Sequence, residues 1–331
     1  MLQSDTVNID DFDLKQIHDF AVDLARQAGQ ILINDSLTRN HNIQLKKNAV
    51  DIVTETDLKI ENFIKLNIQK SYPDHKFIGE ESYSTKNANE KTYLVDNSPT
   101  WIVDPLDGTV NFVHLFPMTC ISIGFTINGK AVAGAIFAPF INQMYSAHKN
   151  GGAWLNETTK LPLQQTPISI DAPKGCIFSC EWGKQRGYTE NSNLYKKVNS
   201  FINMAAEIGG RDGKGGMVHG VRSLGSASLD LCFVATGAFD IWWEAGCWEW
   251  DVCAGFIIVE EAGGIITTAN PPTDYENVGI PPAQLGSRLY LAIRGCTDNT
   301  DAKETSKQSQ ERVIRQVWKR VDHLDYTRPG V

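Results

Sequence analysis

The chain has 331 residues, 42% of them hydrophobic and 21% charged, enough to bury a large core as one big domain or two fused halves. A formal net charge of −8 and a pI near 5.4 exclude the basic face that nucleic acid requires, and leave an anionic small substrate open only if cations reverse the sign locally. No apolar run approaches the roughly 20 residues of a membrane helix, and the acidic, polar N-terminus resembles no leader, so a soluble, cytoplasmic protein with no membrane partner is expected.

In chain order, Ile17, Ala21, Leu24, Ala28 and Ile31 recur at helical spacing and predict a helix over 14–37. A second helix is expected from about Thr56 to before Pro73, followed by strands at 76–79 and 100–103 with a polar loop, 83–92, between them. Strands follow at 119–127, 131–138 and 143–147, with Asn128-Gly129 marking a hairpin. Further on, strands are expected at 176–180, 218–222, 240–243 and 289–294, and helices at 193–207, 226–236 and 251–262. The glycine-rich run 209–216 lacks the preceding strand and the Lys-Ser/Thr of a P-loop, so it reads as a solvated loop. Beyond Asp298, Val313, Val317, Val321 and Leu324 predict a surface helix or a dispensable tail. The seven cysteines, odd in number and without a C-x-x-C pair, read as reduced, mostly buried thiols. Strands alternating with helices, yet joined by hairpins, indicate an α+β architecture. Its expected parts are residues 1–150, an α+β half with most of the acidic motifs; 151–297, an α/β half with Asp251; and 298–331, a helical C-terminal extension.

The chemistry concentrates in W-I-V-D-P-L-D-G-T, residues 101–109, which places Asp104 and Asp107 three residues apart at a strand end. Pro105 cannot continue a ladder, so the strand is expected to stop at Asp104. Three more acidic motifs fall at element tips: D-I-V-T-E-T-D ending at Asp57, G-E-E-S with Glu80 and Glu81, and W-D-V-C-A-G with Asp251. Read singly, each has a structural alternative: turn punctuation for Asp104 and Asp107, helix capping for Asp57 and Asp251, exposed charge for Glu80 or Glu81. Read together, they suggest an oxygen-ligand site for Mg²⁺, since clustered carboxylates need a hard cation. No H-E-x-x-H or G-x-S-x-G motif offers a zinc or serine-nucleophile route, so metal-assisted hydrolysis of a phosphate ester fits best.

Through residues 51–57, 77–82, 99–114, 219–227 and 250–255 the chain resembles the inositol monophosphatase family of lithium-sensitive magnesium phosphatases, and a fungal type within it. That resemblance implies a layered αβαβα sandwich, usually dimeric. It implies one metal held by Glu80, Asp104 and the Leu106 carbonyl, a second by Asp104, Asp107 and Asp251, and a weaker third leaning on Glu80. Asp57 and Thr109 would activate the attacking water, with Glu80 part of the catalytic set. The amides of Gly108 and Thr109 would hold phosphate. Glu244, Asp107, Asp251 and the backbone of Gly225, Ser226 and Ala227 would contact the polyol. The implied reaction is hydrolysis of myo-inositol monophosphates; a bisphosphate nucleotide, histidinol phosphate or sugar phosphate is the alternative substrate. Trp248 and Glu249 depart from the family pattern, as do the 209–216 run and the C-terminal extension.

Overall fold

The computed structural model describes residues 6–37, 44–48, 51–84 and 93–328. Most of the polar loop expected at 83–92 lies outside the described residues.

Helix α1 (Leu14–Ser36) is followed by the antiparallel pair β1 (Gln44–Asn48) and β2 (Asp51–Val53) and by α2 (Glu55–Ser71). Strand β3 (Lys76–Gly79) runs straight into the short helix α3 (Glu80–Ser84), and β4 (Thr100–Asp107) into α4 (Thr109–Val113). The strands β5 (Cys120–Ile127), β6 (Lys130–Ala138), β7 (Gln143–His148), β8 (Gly152–Leu155) and β9 (Thr159–Lys160) complete a seven-stranded sheet in the order β3-β4-β5-β6-β7-β8-β9. The β5–β6 turn is the expected Asn128-Gly129 hairpin, both residues at positive φ and Ile127 paired with Lys130. The sequence did not announce β8 and β9, so the boundary expected at residue 150 falls inside this sheet.

The second sheet is built from β10 (Ile177–Ser179), β11 (Gly220–Arg222), β12 (Ile241–Ala245), β13 (Ile265–Thr267) and β14 (Leu289–Ile293), in the order β11-β10-β12-β14-β13. Its helices are α5 (Asn193–Ala205), the single turn α6 (Gly210–Gly213), α7 (Ala227–Thr236), α8 (Glu249–Glu261) and α9 (Ser306–Trp318). The turn α6 lies within the glycine-rich run and carries Arg211 and Asp212 at positive φ, with exposed surroundings that suit a solvated loop.

Amphipathic helices make the outer layers and apolar ones the middle. Helices α1 and α2 bury Ile17, Leu24, Ile60 and Ile64 against one face of the first sheet. Helices α7 and α8 are almost wholly apolar and fill the space between the sheets, where Leu231, Trp250, Ile258 and Trp242 meet. Val313, Val317 and Trp318 of α9 cover the far face of the second sheet. The layers are therefore α, β, α, β, α. The C-terminal extension departs from expectation: its helix ends at Trp318, and Val321, Leu324 and Tyr326 continue into the same core outside any helix.

Candidate metal centre

The strand β4 does not stop at Asp104. Its ladder with β5 pairs Asp104 with Ser122 and resumes at Asp107 with Cys120, so Pro105 and Leu106 together oppose one residue of β5. A bulge accommodates the missing proline donor and lets the strand deliver both aspartates. The Leu106 amide donates back to Asp104 Oδ1 at 3.0 Å. Gly108 then turns the chain at φ +86° to cap α4, where a Cβ would sit 2.7 Å from the Met118 carbonyl oxygen.

Glu80 arrives by a different device. It opens α3 directly after β3, and its neighbour Glu81 is buried behind it. The carboxylate of Glu61 on α2 accepts from the amides of Glu81 at 2.6 Å and Ser82 at 2.7 Å and from the Ser82 hydroxyl, which fixes where α3 begins. Asp251 sits in the first turn of α8, where one carboxylate oxygen caps the helix by accepting the Trp248 amide at 2.6 Å. Asp57 caps α2 through Oδ2, which accepts the Thr54 amide at 2.8 Å, while Oδ1 lies 3.1 Å from the Thr109 hydroxyl. In Asp57, capping and the contact with Thr109 are thus carried by different oxygens of one side chain.

Among the described residues, Glu80, Asp104 and Asp251 bring carboxylate oxygens within 4.8 Å of one another. Asp107 stands beside them, with Oδ2 accepting from the Ser226 hydroxyl at 2.7 Å and the Ser228 amide at 2.8 Å. Thr109 Oγ1 lies 3.1 Å from the Leu106 carbonyl as well as from Asp57. A cleft of about 620 Å³ is lined by every candidate site residue except Asp57, which lies behind Thr109. A second groove of about 690 Å³, bordered by Asp240 and Arg294, gathers no comparable carboxylates, and those two residues pair with each other.

The electrostatics call for a cation. Burial drives Asp104 well above the usual carboxylate range, and the charges of Glu80, Asp107 and Asp251 add to it. Asp251 rises to about 7 through burial and then Asp107 and Glu80, opposed by Lys184. Asp107 rises to about 6, burial outweighing its hydrogen bonds from Ser226 and Ser228. Carboxylates this desolvated and this close stay ionised together only beside positive charge, and an all-oxygen donor set suits Mg²⁺.

Around Glu244, which the resemblance assigns to polyol contact, the side chains are internally paired. Glu244 on β12 is buried, and its carboxylate pairs with the equally buried Lys197 of α5. It also accepts the Glu181 amide at 2.6 Å and the Ala245 amide at 2.8 Å. Burial disfavours the Lys197 ammonium, but the adjoining Glu244 outweighs it and holds that lysine above its ordinary range. Glu181, at the tip of β10, accepts from the amides of Leu224 at 2.6 Å and Gly225 at 2.8 Å and so shapes the loop before α7. Glu249 is buried against Arg328 of the C-terminal segment. Sequence reasoning missed Glu61, Glu181, Lys197, Arg288 and Arg328. Glu61 alone had a usable signal, lying one helical turn beyond Asp57 on the same face of α2.

The profile of the inositol monophosphatase family matches residues 13–322. Quinic acid degradation cluster protein x of Neurospora crassa is 54% identical over 96% of this chain and 97% of its own length. Human inositol monophosphatase 1 is 40% identical over 75% of this chain and 82% of its own. The solved inositol monophosphatase from Anabaena superposes with a TM-score of 0.66 at 26% identity, covering 94% of this chain and 97% of that one. With the acidic cluster, the layered fold and these matches in agreement, the chain belongs to the inositol monophosphatase family of metal-dependent phosphatases.

Proposed function

We propose that this protein is a Mg²⁺-dependent phosphomonoesterase acting on small phosphorylated polyols, with myo-inositol monophosphate the reference substrate. The observation that carries the reading is the convergence of buried Asp104 with Glu80 and Asp251, three carboxylates whose mutual repulsion an external cation would relieve. Glu80, Asp104, Asp251, Asp107 and the Leu106 carbonyl would hold the metal. When bound, it supplies positive charge for the phosphate and for the charge developing in the transition state.

The chain's own groups do the rest. Asp57 is fixed by Thr54 and offers Oδ1 as a base to the Thr109 hydroxyl, so a proton leaving an attacking water passes from Thr109 Oγ1 to Asp57 Oδ1. The amides of Gly108 and Thr109, at the turn that opens α4, face the phosphoryl group. The polyol lies toward Gly225, Ser226, Ala227 and Glu244, which line the same cleft. Glu244 is already held by Lys197, so its share in ring recognition is that of a rigid acceptor. The reading includes a homodimer in the cytoplasm; no helix of the described residues is long and apolar enough to cross a membrane.

A second reading, a different small phosphorylated polyol, is favoured by Trp248, Arg288 and Tyr326, which line the cleft beside Glu244. It is also favoured by the name of the Neurospora relative, which concerns quinic acid degradation. Phosphate release from inositol 1-phosphate, sugar phosphates, histidinol phosphate and nucleotide bisphosphates, with magnesium and with chelator, tests both. Magnesium-dependent release from a polyol phosphate is expected; release that survives chelation, or none from any ester, defeats the proposal.

A further inference from the structure

The cleft contains a cation that the reaction as proposed does not use. Arg288, at the start of β14, lines the cleft beside Gly246, Trp248 and Tyr326. Its guanidinium lies 3.8 Å above the Trp248 ring centroid and 5.3 Å from that of Tyr326. Nη2 donates to the Gly246 carbonyl at 2.7 Å, and Nε is buried with no hydrogen-bond partner. Arg294 pairs with Asp240 and Arg328 with Glu249, whereas Arg288 meets no carboxylate within ion-pair distance among the described residues.

The neighbouring rings hold the guanidinium and shield part of it from water. Their π faces compensate part of the charge and provide no hydrogen-bond acceptor for Nε. A partly buried cation with no carboxylate partner, lining a substrate cleft, is matched by an oxyanion supplied from outside. Tyr326 and Arg328 come from the C-terminal segment, and Arg328 stacks on Trp248 at 4.8 Å while pairing with Glu249. The segment thereby holds the indole on which Arg288 rests.

We infer that Arg288, clamped by Trp248 and Tyr326, is a specificity subsite for a second anionic group on the substrate, so that the preferred ester is a phosphorylated polyol bearing a carboxylate or a further phosphate. The inference rests on the phosphatase reading and adds the substrate class.

Matched pairs test it. The purified full chain with magnesium is assayed on glycerol 2-phosphate against 2-phosphoglycerate, on sorbitol 6-phosphate against 6-phosphogluconate, and on inositol 1-phosphate against inositol 1,4-bisphosphate. The first two pairs report a carboxylate, the third a second phosphate. A preference in kcat/KM of about tenfold or more is expected for the doubly anionic member of at least one pair, as befits one charged hydrogen-bonded contact. Arg288→Met brings that ratio close to one, mainly through KM. Should the methionine variant fail to fold, Arg288→Lys reads the same quantity, because loss of the planar fork lowers the ratio several-fold. Equal kcat/KM within every pair, or a preference that survives either substitution, overturns the subsite while leaving the phosphatase reading standing. An equal loss on both members of a pair overturns it too, since Arg288 would then serve the phosphoryl group common to both. Absence of hydrolysis across all six esters defeats both readings.

Discussion

Glu249 and Asp251 lie two residues apart in the first turn of α8, and the structure treats their charges in opposite ways. Glu249 is fully buried against Arg328, as Glu244 nearby is buried against Lys197. Asp251 faces Glu80 and Asp104 instead, with no pairing cation from the chain in ion-pair contact among the described residues. The fold therefore balances Glu244 and Glu249 with its own lysine and arginine. At Asp251 it supplies no such ion pair among the described residues. Proximity of acids alone does not identify a site; the source of their counter-charge does.

This contrast can be broken at either end. The largest effect is expected on the internally balanced side. Lys197→Met strands the Glu244 carboxylate in the core and should cost about 3–5 kcal/mol of stability, read from urea unfolding. The double variant Lys197→Met/Glu244→Gln should recover much of that, because the orphaned charge is gone. A single-variant cost below about 1 kcal/mol would place the pair with ordinary surface bridges and remove this half of the comparison. Arg328→Met should destabilise in the same direction by exposing the same problem at Glu249.

On the other side, Asp104→Asn should lower the rate of phosphate release about 10²-fold or more. Its effect on stability should have the reverse sign. In chelator the asparagine variant should melt higher than the parent, because a desolvated carboxylate repelled by Glu80, Asp107 and Asp251 has been removed. A lower melting temperature in chelator would mean that Asp104 supports the fold as Glu244 does.

Much of this site was legible because local chemistry wrote it. Asp104-Pro105-Leu106-Asp107-Gly108 combines a strand, a donor-less residue and a glycine at positive φ, and those constraints act within a few residues. Helices α1 and α2 and the Asn128-Gly129 hairpin were equally local. The capping positions of Asp57 and Asp251 could not be separated from candidate site positions in sequence, because each carboxylate caps a helix and also reaches the cleft residues. What stayed hidden is long-range. Lys197 meets Glu244 from 47 residues away and Arg328 meets Glu249 from 79, with no periodicity to link them. The C-terminal segment misled for the same reason: Val321 and Leu324 continue a helical spacing, yet they are buried outside any helix after α9 has ended at Trp318. The ladder through Pro105 was misjudged because a bulge can absorb the missing donor, and nothing in the strand's own residues specifies one.

The smallest expected effect sharpens the comparison through pH. Asp107 rises to about 6 and Asp251 to about 7 by burial, with Asp104 also well raised, whereas an unfolded aspartate titrates near pH ~3.9. Between those values the metal-free folded chain holds more protons than the unfolded one. Stability contributed by the protonated cluster is then complete below the unfolded value and is lost as pH rises through about 6 to 7. Magnesium bound at the cluster would take the place of those protons, so its stabilisation should be small near pH ~5 and grow toward pH ~8. The difference in melting temperature with magnesium and with chelator, followed across that range, isolates the cluster, because Glu244 and Glu249 carry their own cations under both conditions. A gain that is flat with pH, or largest in acid, would show that the metal does not displace protons from these carboxylates, and the distinction between the two groups would fall.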